Sequence, residues 1–152
     1  MDNEIINNPE LDGWIKKSIE INASDDKVWN TLTNKDLIKK WATAFEEGTV
    51  VESDWTEGAT VTWKSAEGKN LIKGKVAVSY PSKLLKLNYF DDENAADDAE
   101  TGEYEEHYLL SEHGGTTTFT VDSGPLSDHY IKSLDPQWDN ALRLIKQLAE
   151  EQ

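Results

Sequence analysis

Glu106 and the tyrosines around it are the side chains with the most chemistry to offer in this sequence. In "YEEHYLL", strand alternation puts Tyr104, Tyr108 and Leu110 on one face, with Glu106 interrupting that row. A buried Glu106 would need a partner or a raised pKa, whereas at a sheet edge it is an ordinary solvated carboxylate. The edge position is the simpler expectation. The histidines point to no reaction. His107, His113 and His129 fit neither HExxH nor a helical i, i+4 pair, so no metal site is expected. Alternation turns His107 away from Tyr108 towards solvent, His113 adjoins a Gly-Gly turn, and His129 precedes the last helix. The acidic run "DDENAADDAE" lacks the alternating oxygen ligands and central glycine of a calcium loop and reads as a solvated loop. Ser123-Gly124-Pro125 is not a nucleophile elbow, and no phosphate loop or dinucleotide fingerprint occurs. With no cysteine, thiol catalysis, disulfides and Cys-containing zinc sites are excluded. No catalytic residue and no cofactor is therefore expected.

Aromatic residues are the other notable resource. Trp41, Phe45, Trp63, Tyr80, Tyr89, Tyr108, Phe119 and Trp138 all fall on faces that the sequence pattern turns inward. They can be plain core, or the walls of a pocket suited to a flat or long apolar molecule.

The elements that must position them follow from periodicity. Residues 1–13 read as a flexible lead-in, and residues 14–152 as one domain. From Trp14 the chain alternates, with Ile15, Lys17, Ile19 and Ile21 on one strand face and Ile19 and Ile21 as its dependable inward pair. "KVWNTLTNKDLIKKWAT" then holds two helices of about two turns each, which only packing can stabilise. Ser24 or Asp25 caps the first and Thr33 or Asn34 the second. Trp29 reads as a core anchor, and Trp41 as the tryptophan nearer an opening. Six further strands follow, joined by turn signals that make antiparallel hairpins. In "LIKGKVAVSY", Ile72, Gly74, Val76, Val78 and Tyr80 share one side. Asp135 and Pro136 read as N-cap and first residue of a last helix with a Trp138, Ala141, Leu142, Ile145, Leu148 stripe. Residues 127–134 could add a turn before it, in which case Pro136 should kink the helix. One helix about 10 Å wide cannot cover seven strands spaced about 4.8 Å apart, so the sheet must curl around it and leave a gap.

Charge narrows the partners. The 152 residues carry 30 acids and 15 bases, a net charge of −15. Such a surface repels phosphate backbones and anionic lipid, so neither nucleic acid nor membrane is an expected partner. No apolar run is long enough to span a membrane, and the first residues do not resemble a secretory signal. The expected location is cytoplasmic. Between Lys86 and Lys132 there is no Lys or Arg and there are twelve acids. That stretch reads as a solvated acidic hairpin at 91–106, or as a docking site for a basic protein partner.

The order of "VWNTLTNKDLIKKW", "IKGKVAVSYPSKLLKLNY", "EHGGTTTFTV" and "QWDNALRLIKQL" resembles the family similar to the C-terminal domain of the activator of Hsp90 ATPase. That family belongs to the helix-grip superfamily with START, Bet v 1 and polyketide aromatase/cyclase proteins. The resemblance spans roughly residues 14–150 and implies an α+β helix-grip fold. Its parts would be a curved seven-stranded antiparallel sheet wrapped around a long C-terminal helix, with two short helices between strands 1 and 2. It also implies a cavity, because relatives hold lipids, hormones or polyketides. The expectation is a non-enzymatic binding protein for a small apolar, lipid-like or aromatic ligand, with the eight inward aromatics as its site. The alternative is a protein–protein adaptor, chaperone-linked, acting through acidic residues. A third is a cyclase-type enzyme, for which only Glu106 and the tyrosines could titrate inside the pocket.

Overall fold

The computed structural model describes residues 13–152. All of the expected lead-in except Gly13 lies outside the described residues, and Gly13 is the first residue of a strand. The elements run β1 (Gly13–Ile21), α1 (Asp25–Thr33), α2 (Lys35–Trp41), β2 (Val50–Glu52), β3 (Thr60–Lys64), β4 (Asn70–Tyr80), β5 (Leu84–Tyr89), β6 (Glu105–His113), β7 (Thr116–Leu126) and α3 (Asp128–Glu150). A single 3₁₀ turn, Ala42–Ala44, extends α2. The strands form one seven-stranded sheet in the order β1-β7-β6-β5-β4-β3-β2. Every neighbouring pair is antiparallel. This is the α+β helix-grip fold, with α3 in the hollow of the sheet and α1 and α2 between the first two strands.

The two short helices begin where side chains satisfy orphan amides. Ser24 Oγ accepts from the Lys27 amide, and Asn34 Oδ1 accepts from the amides of Asp36 and Leu37. Packing then holds them. Val28, Leu32, Ile38 and Trp41 are all buried. Trp41 also ties α2 to α1, because its indole Nε1 donates to the Thr31 carbonyl at 2.8 Å. Trp29, the expected anchor, is only half-buried against the core, so Trp41 is the deeper of the two.

The first strand follows the expected alternation, with Ile15 and Ile21 buried. Ile19 is less enclosed than expected of its pair. Lys17, which interrupts that face, reaches Asp135 at 2.9 Å and Asp139 at 2.8 Å on α3. Burial pulls its ammonium pKa down, but hydrogen bonds to the two carboxylates outweigh burial and hold it above the ordinary value.

The last helix departs from expectation. Asp135 does not cap it. The cap is Ser127, whose Oγ accepts from the Tyr130 amide, and Pro136 lies inside one continuous helix. A proline in a helix removes one hydrogen bond. Here Asp135 meets Lys17 instead, and Trp138, Ala141, Leu142, Ile145 and Ala149 bury the stripe that follows.

In β4 the pairing with β5 shifts register between Val76 and Val78. Before the shift Val76 pairs with buried Leu87. After it, Ser79 pairs with buried Leu85, and Tyr80 pairs with Leu84. A bulge of this kind swaps faces. Val78 and Tyr80 therefore turn outward, and Tyr80 is 64% exposed, against the expectation that it faces the interior.

Candidate functional site

Strand β6 lies third in the sheet, not at an edge, so Glu106 is enclosed. The expectation of a solvated edge carboxylate is corrected by this strand order. Its side chain is 9% exposed, at the floor of the hollow. Three phenols replace its water. Glu106 Oε1 accepts from Tyr89 Oη at 2.9 Å and from Tyr108 Oη at 3.0 Å. Oε2 accepts from Tyr104 Oη at 2.8 Å. Trp63 Nε1 donates to Tyr89 Oη at 3.1 Å, and Ser123 Oγ lies 2.7 Å from Tyr104 Oη. Since Tyr104 gives its one proton to Glu106, Ser123 is the donor in that last contact.

Alternation produces this convergence. Tyr89 closes β5, Glu106 and Tyr108 are inward positions of β6, and Ser123 is an inward position of β7. Gly74 on β4 allows Tyr89 its place, because a Cβ there would run into the Asn88 carbonyl and the Tyr89 ring.

Burial raises the Glu106 pKa, and the three tyrosine hydrogen bonds only partly oppose it. Burial, and then the Glu106 charge, push Tyr89, Tyr104 and Tyr108 well above the ordinary phenol value. The phenols thus remain neutral donors to the Glu106 carboxyl.

Above this cluster the hollow is not filled. A cavity of about 820 Å³ opens between the sheet, α2 and α3. Six of the eight sequence-predicted aromatics line it: Trp41, Phe45, Trp63, Tyr89, Tyr108 and Trp138. Phe45 and Trp138 meet edge-on at 4.9 Å, and Trp41 and Trp63 at 6.0 Å. Two do not line it. Tyr80 faces outward beyond the β4 bulge, and Phe119 is buried behind Tyr108, ring to ring at 5.9 Å. Leu126 at the end of β7 and Tyr130 and Leu134 on α3 also line the cavity. Tyr104 and Ser123 were absent from the predicted site. The alternation Thr117, Phe119, Val121, Ser123 was the signal that could have found Ser123. A second concavity of about 530 Å³ near Trp55 has only exposed charges, Lys35, Glu52 and Asp54.

The remaining polar candidates stay apart from the cavity. His107 pairs with Glu105 at 2.8 Å on the outer face, His113 lies 3.2 Å from Ser111 Oγ, and His129 is exposed. Among the described residues no group of three or more His, Cys, Asp or Glu could hold a metal ion. The acidic segment is shorter than expected, because Glu106 points inward and Asp97 is paired with Lys73 at 2.7 Å. Among the described residues no helix is long and apolar enough to cross a membrane.

Fold and cavity together define a helix-grip protein with an aromatic-walled hollow that holds a carboxyl. Residues 22–150 match the family described as activator of Hsp90 ATPase homolog 1-like protein, and the chain belongs to that family. No curated protein matches the chain. Among solved structures it is similar to the Aha1 dimer from Colwellia psychrerythraea, at 19% identity and TM-score 0.71, covering 91% of this chain and 96% of that one. It is similar to the AHSA1-like protein from Aeromonas hydrophila, at 19% identity and TM-score 0.65, covering 90% and 93%. CalU16 from Micromonospora echinospora aligns at 18% identity and TM-score 0.67, covering 90% and 75%. Likenesses at these identities establish the fold.

Proposed function

We propose that this protein is a non-enzymatic binding protein that encloses a small, largely apolar molecule between its sheet and α3. The observation that supports this most is the cavity of about 820 Å³, walled by Trp41, Phe45, Trp63 and Trp138 and floored by the Glu106 cluster. Ligand pockets of this kind run from about 300 to 1,000 Å³ and combine apolar walls with a few fixed polar groups. On this reading residues 14–152 act as one unit, and Glu106 orients the ligand's polar end. The test is titration of intrinsic tryptophan fluorescence with long-chain alcohols, flat aromatics and isoprenoids. Saturable one-to-one binding, weakened in Trp63→Ala, is the expected result. Failure of every class to change the signal or to displace an apolar dye would overturn the reading.

A second reading rests on the family's description and on the segment 91–103, where Asp91, Asp92, Glu93 and Asp98 are exposed. It makes the protein a chaperone-linked adaptor that meets a basic surface. Binding to purified Hsp90 would then weaken with salt and disappear when Asp91, Asp92, Asp97 and Asp98 become asparagine. Binding unchanged by both treatments would exclude it.

A further inference from the structure

The cavity also has a charge character, and the following inference rests on reading it as a ligand site. Every charged side chain lining it among the described residues is a carboxylate: Glu106 at the floor, Glu46 and Asp91 at the rim. No Lys, Arg or His lines it among the described residues. The ammonium groups of Lys17 and Lys86 are engaged elsewhere, with Asp135 and Asp139 and with Glu105; Lys73, 6.0 Å from the ring of cavity-lining Phe90, is paired with Asp97.

Donor counting sharpens this. A carboxylate offers about four acceptor positions. Three are filled by phenols, two on Oε1 and one on Oε2. One acceptor position remains, on Oε2, and no Lys, Arg or His among the described residues lining the cavity competes for it. The walls around it are rings whose π-systems attract a cation within about 6 Å.

We propose that the cavity accepts an apolar organic cation, best a tertiary ammonium on a hydrophobic body. Its single N–H meets the free position on Glu106 Oε2, and its alkyl groups lie among the rings of Trp41, Trp63 and Trp138. A primary ammonium brings three N–H donors to one free acceptor and leaves donors buried without partners. A fatty-acid carboxylate brings a further negative charge to a site already holding three. The net charge of −15 favours cation approach from solution.

The test uses the whole chain and four probes of one chain length: N,N-dimethyldecylamine, decylamine, 1-decanol and decanoate. Calorimetry near neutral pH, in about 150 mM salt to screen exposed charge, gives their affinities. The tertiary amine should bind at least about tenfold tighter than the alcohol, with decylamine between them and decanoate weakest. In Glu106→Gln the amine should lose its advantage, amine and alcohol falling within about threefold of each other. If Glu106→Gln does not fold, the wild-type series decides alone. Equal affinity for amine and alcohol, or tightest binding of decanoate, overturns the charge inference and leaves the cavity reading intact. Binding of none of the four overturns both.

Discussion

Glu106 has exchanged water for three phenol hydroxyls, and the exchange is incomplete, since burial still raises its pKa. That direction sets a pH dependence. A carboxyl whose folded pKa lies above its unfolded value contributes stability that is fully present below the unfolded pKa, here 4.5. The contribution is lost as pH rises through the folded value. Glu106→Gln cannot titrate. The wild-type melting temperature should therefore fall relative to that of the variant as pH rises from about 4.5 towards 8, and a flat difference would refute this. Asp25 works in the other direction. Its hydrogen bond to Lys83 holds its pKa down, so its contribution is present above 3.8 and is lost as pH falls. Trp41 provides a second test. Trp41→Phe keeps most of the ring but leaves the buried Thr31 carbonyl without its donor. The expected cost is about 1–3 kcal/mol in urea unfolding.

At the scale of elements, the β4 bulge decides which aromatics can meet a ligand. Tyr80→Ala should leave affinity for an apolar probe unchanged and shift stability by no more than about 0.5 kcal/mol. Trp63→Ala should weaken binding, because Trp63 lines the cavity and donates to Tyr89. Equal losses in the two variants would show that the outward turn of Tyr80 is wrong. The first turns of α3 border the cavity mouth through Tyr130 and Leu134, and Ser127 starts them. Ser127→Ala should cost about 1 kcal/mol of unfolding free energy in urea, the usual loss at an N-cap.

For the molecule as a whole, a net charge of −15 means that folding concentrates like charges. Self-repulsion of this kind is screened by salt, with a Debye length of about 10 Å at 0.1 M. The melting temperature should rise between about 10 mM and 150 mM sodium chloride. A fall would mean that ion pairs such as Lys17 with Asp135 and Asp139 outweigh the repulsion.

Element order, the antiparallel sheet, both short-helix caps to within one residue and most inward aromatics could be read from the sequence. Each depends on local spacing: alternation along a strand, 3–4 residue recurrence along a helix, or a capping side chain beside orphan amides. What lay beyond the sequence depends on neighbours distant in the chain. The start of α3 was hidden because Asp135-Pro136 is a good local start signal, while Asp135 in fact meets Lys17 on β1. The direction of Tyr80 was hidden because the β4 bulge is defined only by pairing with β5. The burial of Glu106 was hidden because a strand's place in the sheet decides whether its carboxyl meets water. Tertiary structure put β6 between β5 and β7, and so brought Tyr89, Tyr104, Tyr108 and Ser123 together around one carboxylate.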